Sequence, residues 1–151
     1  MIRVRAAEPR DAESLVEFAR RMARETEDKE LDVATLRAGV AGLLSDASRG
    51  RAFVVEDDGE VVAGLMVTLE WSEWRNGWFW WIQSVYVVRS HRRRGHYRRL
   101  HEHVRSLASA SPDVCGIRLY VEQENRNAQA TYRSLAMEET HYRIFEEVFR
   151  R

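Results

Sequence analysis

An arginine-rich turn around Gly95 has the residue types of an anion-binding site. The segment reads Arg92-Arg93-Arg94-Gly95-His96-Tyr97, and six arginines lie between Arg89 and Arg99. A helix start presents unpaired backbone N–H groups at the positive end of the helix dipole. Glycine in a basic turn at such a start brings these groups together. The pattern predicts a phosphate site at this turn.

The residues on either side of the turn predict the elements that hold it. Residues 80 to 88 are almost all aromatic or β-branched, with only Gln83 and Ser84 polar, as expected of a strand covered on both faces. After Gly95 the apolar residues recur at helical spacing. That stripe consists of Tyr97, Leu100, Val104, Leu107 and Ala108.

Composition limits the class of protein. With 151 residues, 44% hydrophobic and 32% charged, the chain is expected to be one globular domain, residues 1–151. The formal net charge is zero, so general attraction to nucleic acid or anionic lipid is not indicated. The chain has no apolar run long enough for a membrane helix. The single cysteine, Cys115, excludes an internal disulfide and fits a reducing compartment, so we expect a cytoplasmic protein.

The order of predicted elements is β-α-α-β-β-β-α-β-α-β, which indicates one α/β domain with a mixed sheet. The expected strands are Ile2–Arg5, Ala52–Val55, Val61–Trp71, 80–88, Gly116–Val121 and Tyr142–Phe149. Helices are expected after Pro9 and Asp11, after a cap at Asp32, after Gly95, and after a cap at Asn127. Residues 24 to 30 are charged and predict a loop, while Asp57-Asp58-Gly59 and Asn76-Gly77 predict hairpin turns.

A second motif lies downstream of the arginine-rich turn. Leu119-Tyr120-Val121 is followed by Asn125, Ala128, Tyr132 and Leu135-Ala136-Met137. Together with Val85-Tyr86-Val87 and the turn itself, this pattern resembles the GNAT superfamily of acetyl-CoA-dependent N-acetyltransferases. That family has an Arg/Gln-x-x-Gly-x-Gly/Ala turn between its fourth strand and third helix. The chain departs from the family at Tyr97, where Gly or Ala is usual, and at Ala136, where Gly is usual.

The resemblance implies an α/β (α+β) fold. Its central sheet would be mixed, mainly antiparallel, with about six to seven strands and four flanking helices. Strand four would splay from strand five and leave its own edge open. Tyr97 lies on the apolar stripe of the helix, so its ring is expected to point into the core and leave the amide free.

The resemblance also implies acetyl-CoA as co-substrate, without a metal. Backbone N–H groups of residues 94 to 97 would bind the pyrophosphate. The arginine side chains would add charge-assisted bonds, each net favourable by roughly 1.5–3 kcal/mol. The pantetheine amides would pair with strand four as an added strand does. The implied cofactor-binding residues are Val85, Tyr86, Val87, Arg92, Arg93, Arg94, Gly95, His96, Tyr97, Asn125 and Tyr132.

Transfer to an amine needs a proton acceptor, an oxyanion donor and a weak acid. An alkyl amine with a pKa near 10.4 is only about one part in 10³ neutral at pH 7. Glu70, Glu73 and Glu122 are candidate bases because they sit at strand ends or in hairpins, and the sequence does not choose among them. By the resemblance, the Val87 N–H would stabilise the oxyanion and Tyr132 would protonate the departing thiolate.

Other interpretations stay open. The arginine run could be a solvated helix start or part of a nucleic-acid-binding module, and the chain could bind CoA without transferring acetyl. Tyr132 could be a core residue. The histidines lack the spacing of a metal set. The expected partners are a small-molecule or peptide amine, with no nucleic acid and no membrane, and a second copy joined through the tryptophan-rich hairpin and the last strand.

Overall fold

A five-stranded sheet forms the centre of the fold in the computed structural model, which describes residues 1–150. The strands are β1 (Ile2–Ala6), β2 (Gly50–Asp57), β3 (Glu60–Ser72), β4 (Gly77–Val87) and β5 (Val114–Arg118). They lie in the order β1-β2-β3-β4-β5. The first four are antiparallel neighbours, and β5 runs parallel to β4. Both predicted hairpins are confirmed, and the sheet is mixed and mainly antiparallel, as the resemblance implied.

Four α-helices accompany the sheet, namely α1 (Ala12–Glu27), α2 (Val33–Ser45), α3 (His96–Ala110) and α4 (Arg126–Ser134). The predicted cap of α2 is confirmed, because the Asp32 carboxylate accepts a hydrogen bond from the Thr35 N–H at 3.0 Å. The predicted loop over residues 24–30 is wrong in part. Helix α1 continues to Glu27 and ends at Asp28, which has a left-handed backbone with φ of 49°. No helix within residues 1–150 is long and apolar enough to cross a bilayer.

Met1–Tyr120 form one compact unit, in which the sheet lies between two apolar layers. On one face, sheet residues such as Phe53 and Ile82 pack against Leu100 and Val104 of α3. On the other, Val54, Tyr86 and their neighbours pack against α1 and α2 through Leu15, Phe18 and Val40. Each strand therefore supplies both layers by alternation of its side chains.

The second unit begins at Val121 and contains α4. Its cap is Asn125 rather than the predicted Asn127, since the Asn125 side chain accepts a hydrogen bond from the Ala128 N–H at 3.1 Å. The predicted strand Tyr142–Phe149 is wrong for the single chain, and the sheet has five strands instead of six to seven. A strand needs a neighbour for its backbone hydrogen bonds, and none of residues 1–150 pairs with this segment in the sheet.

The pairing of β4 changes along its length. β5 pairs with β4 from Trp78 to Trp81, so within residues 1–150 the rest of β4, residues 82–87, has β3 alone as a neighbouring strand. Within that remainder the β3–β4 register shifts, and Ser84 has a positive φ of 54°. An extra residue in one strand bends it and reverses which side chains face each layer. Past Trp81, β4 therefore has an open edge, with no strand paired on its β5 side within residues 1–150, as expected from the resemblance.

Candidate functional site

The start of α3 has backbone groups that can bind an anion. Gly95 is the N-cap, with a left-handed φ of 79°, and the preceding Arg93 has a φ of 63°. Within residues 1–150 no side chain caps this helix start, and its first turn contains no acidic residue. Arg99 reaches back to the Arg94 carbonyl at 2.8 Å and tightens the turn. The start of α3 thus places backbone N–H groups and the positive end of the helix dipole beside exposed arginines.

Tyr97, the departure from the family pattern, packs toward the core. Its ring contacts the apolar layer on the α3 side of the sheet. Its hydroxyl lies 3.1 Å from Nδ1 of His101, which is itself buried. The expectation that the large side chain turns away from the helix start is therefore confirmed.

His96 contributes to the turn through its backbone only. Its imidazole is 2% exposed, and within residues 1–150 neither ring nitrogen has a hydrogen-bond partner. Burial is the main cause that lowers the pKa of His96, and the positive charge of Arg99 lowers this pKa further. The ring is therefore neutral at pH 7 and cannot supply charge to a phosphate.

The end of β4 presents its backbone to the open edge. The Val88 N–H donates to the Val62 carbonyl of β3 at 2.8 Å. Successive residues of a strand direct their backbone groups to opposite sides, so the groups of Val87 face away from β3. In agreement, the Val87 carbonyl accepts a hydrogen bond from Nε of Arg92 at 2.9 Å. The Val87 N–H lies on the same open side.

Glu25, near the end of α1, connects that helix to β4 and to the arginine-rich turn. Its carboxylate accepts hydrogen bonds from the Tyr86 hydroxyl and from Nη2 of Arg92, the latter at 2.8 Å, and Arg89 lies 3.4 Å away. These hydrogen bonds lower the pKa of Glu25 to about 2, and the bond from Tyr86 has the largest effect. Arg92, Arg93 and Arg94 are all exposed, but the guanidinium of Arg92 is held by Glu25 and by the Val87 carbonyl.

Sequence analysis missed Glu25 because it assigned that segment to a loop. A signal was present. Glu25 continues the helical spacing of Leu15, Phe18 and Met22, so it lies on the buried side of α1. A carboxylate at the end of an apolar stripe needs a partner, which here is a tyrosine and two arginines.

The three predicted bases lie in different surroundings. Glu70, on β3, forms an ion pair with Arg118 at 2.6 Å. Glu73 is exposed in the turn between β3 and β4. Glu122 belongs to the second unit, where its carboxylate accepts a hydrogen bond from the Glu124 N–H at 2.6 Å.

The Glu70–Arg118 pair connects β3 to the end of β5, with Glu70 opposite Phe79 of β4. Arg118 is opposite Trp81, the last β4 residue that pairs with β5. Gln83 follows on β4 and donates a hydrogen bond to the Thr68 hydroxyl, on the same face of β3 as Glu70. Polar groups therefore collect on one sheet face at the opening. Arg118 was missed by sequence analysis, although it is the only charged residue of β5.

Within the second unit, Tyr132 lies on α4 and is half-buried, and burial raises the pKa of its phenol. Asn125 is occupied in capping the same helix. Ala136, which stands where the family usually has Gly, follows the helix with a left-handed φ of 67°. This backbone conformation is strained for a residue with a Cβ atom. The functional roles of Tyr132 and Asn125 remain predictions.

The described residues, 1–150, contain no group of three or more His, Cys, Asp or Glu side chains arranged to hold a metal ion.

The lowered pKa of Glu25 gives a test of its link to the turn. Because the folded-state pKa lies below the usual 4.5, the charged carboxylate stabilises the fold fully above pH 4.5. This contribution is lost as the pH falls toward about 2. Glu25→Gln should lower the free energy of unfolding by on the order of 1 kcal/mol at pH 7, since solvent weakens a partly exposed pair.

Urea denaturation at pH 7, 5 and 3 measures this difference. The difference in the free energy of unfolding between wild type and Glu25→Gln should shrink as the pH falls. Glu27→Gln, an exposed change on the same helix, is the control and should have little effect at any pH. A Glu25→Gln effect that is constant with pH would contradict the ion-pair account.

Comparison with known proteins identifies the family. The acetyltransferase (GNAT) family profile matches residues 12–137. No curated protein matches the sequence at a significant level. Among solved structures, a possible acetyltransferase from Clostridium difficile 630 is similar over 99% of both chains, with 44% sequence identity and a TM-score of 0.92.

Two more distant structures share the fold. A predicted acetyltransferase with acetyl-CoA from Clostridium acetobutylicum has 16% identity and a TM-score of 0.78, covering 97% of this chain and 96% of that one. The ribosomal-protein-alanine N-acetyltransferase from Brucella melitensis biovar Abortus 2308 has 14% identity and a TM-score of 0.78 over 99% of both chains. The family profile covers most of the sequence, so the chain belongs to the acetyltransferase (GNAT) family.

Proposed function

We propose that this acetyltransferase moves the acetyl group of acetyl-CoA to a primary amine of a small molecule or peptide, by direct attack in a ternary complex. The observation that carries the proposal is the placement of the uncapped start of α3 at the end of the open edge of β4. The helix start suits a pyrophosphate, and the edge suits an extended amide-containing arm. The acetyl-CoA of the Clostridium acetobutylicum relative supports this choice of donor.

The pyrophosphate would bind the N–H groups of residues 94–97. Arg93 and Arg94 are exposed and free to add charge-assisted bonds. Arg92 would act differently, since it is bound by Glu25 and by the Val87 carbonyl and so fixes the shape of the turn. Tyr86 would contribute to the same support through Glu25.

The reaction requires loss of a proton from the amine and stabilisation of the oxyanion that forms at the thioester carbon. The Val87 N–H, on the open edge of β4, would donate to that oxyanion. Among the predicted bases, Glu70 is supported by its ion pair with Arg118, the last β5 residue that pairs with β4. Glu70 lies opposite Phe79, eight residues from Val87 along β4, and it forms an ion pair with Arg118, so its proton transfer would run through a chain of water molecules, ordered in part by Gln83.

We further propose that the chain works as a single cytoplasmic domain whose partners are CoA and the amine, without a metal, nucleic acid or membrane. The lone cysteine and the zero net charge support this proposal. The most direct test of function is a thiol-release assay with acetyl-CoA and a panel of polyamines, amino acids, aminoglycosides and peptide N-termini. At least one amine should accelerate CoA release. CoA binding without transfer to any amine would instead favour a binding protein.

The exposed arginines give a test of the pyrophosphate assignment. The double change Arg93→Gln/Arg94→Gln removes two charge-assisted bonds, so the KM for acetyl-CoA should rise at least about tenfold. The KM for the amine should change little. Steady-state kinetics with each substrate varied in turn measure both constants.

The matched control is Arg20→Gln/Arg21→Gln, which removes the same charge from α1. It should leave the KM for acetyl-CoA within about twofold of wild type if the effect is local. An equal rise in both KM values for the Arg93/Arg94 variant would contradict the assignment.

Tyr132 is the proposed acid for the departing thiolate. Tyr132→Phe should lower kcat by only roughly tenfold, since a departing thiolate whose thiol has a pKa near 8.5 needs only weak acid assistance. The affinity for CoA, measured by calorimetry, should stay nearly unchanged. Tyr120→Phe is a control on an exposed tyrosine. Unchanged turnover of Tyr132→Phe would remove this hydroxyl from the mechanism.

A further inference from the structure

A buried histidine lies at the first position of α3, directly after Gly95. The His96 side chain is 2% exposed, and within residues 1–150 neither ring nitrogen has a hydrogen-bond partner. A buried polar group without a partner is unfavourable, and water would satisfy both nitrogens if the turn opened. Arg93 adds backbone strain, since its left-handed φ of 63° is unfavourable for a residue with a Cβ atom. Both features favour an open form of this turn.

The charged groups around the His96 ring oppose its protonation. Arg99 of the same helix, Arg94 of the turn and His91 after β4 each disfavour a charge on the ring. Asp57 of β2 favours that charge, but its carboxylate also lies 3.7 Å from Nε2 of His91. The positive end of the helix dipole acts in the same direction as the arginines. Burial and these charges together lower the pKa of His96, so the closed turn holds the ring neutral.

We propose that the first turn of α3 is an acid-sensitive switch, in which a proton on the His96 ring opens the turn and releases the ring to water. The opening is local. The closed turn is held by Arg99, whose N–H donates to the Gly95 carbonyl at 3.1 Å and whose side chain reaches back along the turn. Leu100 and Val104 are fully buried against the sheet and hold the rest of the helix in place.

The pH range of the switch follows from the direction of the pKa shift. The ring of His96 binds a proton more weakly in the closed turn than in the open one, where its pKa is the ordinary 6.5. The closed form is therefore fully favoured above pH 6.5 and loses this advantage as the pH falls below 6.5. The consequence for the cofactor rests on the proposed function, because acid would reduce the fraction of molecules whose amides around Gly95 are arranged for a pyrophosphate.

Amide hydrogen exchange of the unliganded protein, followed by NMR, tests the switch. The protection of the Arg99 amide, corrected for the intrinsic exchange rate at each pH, measures the open fraction. Between pH 7.5 and 5.5 this protection should fall by about three- to tenfold in wild type. It should stay nearly constant in His96→Phe, which keeps an aromatic ring that cannot bind a proton. Equal losses of protection in the two proteins would overturn the proposal.

Two other histidines provide matched controls. His91→Gln removes the imidazole whose ring centre lies 6.1 Å from that of His96, and His101→Phe removes a second buried histidine from α3. Both variants should keep most of the pH dependence at the Arg99 amide, because the opening releases His96 alone. Loss of that dependence in His101→Phe would assign it to unfolding of the whole helix and overturn the local switch.

A titration of the wild-type ring decides the proposal even if His96→Phe does not fold. The Cε1–H signal of His96 should follow a pKa below the ordinary 6.5. A ring that titrates at or above that value in the folded protein would overturn the switch, since protonation would then favour the closed turn or have no effect on it.

CoA provides a separate arm that tests the pyrophosphate assignment. At 100 times its Kd, CoA should raise the protection of the Arg99 amide by roughly a hundredfold if it binds the closed turn. Unchanged protection in saturating CoA would contradict the pyrophosphate assignment, whereas the measurements without ligand decide the switch.

Discussion

The loss of pairing between β4 and β5 beyond Trp81 and Arg118 is the constraint on which the site depends. A strand within a sheet uses its backbone groups on both sides, and β4 does so only over its first residues. The shift at Ser84 bends the strand and leaves the later backbone edge open. That edge leads directly into the turn before α3. A strand edge and a helix start therefore meet along one continuous stretch of chain.

This open stretch is fixed by contacts distant in sequence. Glu25 holds the Tyr86 hydroxyl and Arg92, and Arg92 in turn donates to the Val87 carbonyl. The carboxylate thus connects α1, the end of β4 and the arginine-rich turn. All three consecutive arginines are exposed, and Arg92 is the one whose guanidinium binds Glu25 and the Val87 carbonyl. Identical side chains acquire different roles because only the first lies within reach of Glu25.

Features set by short-range chemistry could be predicted from the sequence. The hairpins, the Asp32 cap, the helix start at Gly95 and the inward ring of Tyr97 each depend on residues within a few positions of one another. The prediction of Asn127 as the cap of α4 was wrong, because two asparagines lie near that helix start and their spacing does not show which one caps it. Glu25 and Arg118 were missed because their partners lie far along the chain. The strand at 142–149 failed because a strand also requires a neighbour, which the pattern of its own residues cannot supply.

The central claim is that backbone amides around Gly95 bind the pyrophosphate of CoA. Two-dimensional NMR of ¹⁵N-labelled protein, titrated with CoA and separately with pantetheine, tests it most directly. CoA should produce its largest shifts at the amides of Gly95, His96 and Tyr97, whereas pantetheine, which lacks the pyrophosphate, should shift β4 amides and leave these three nearly unchanged. Saturating CoA that leaves the three amides unmoved would contradict the account.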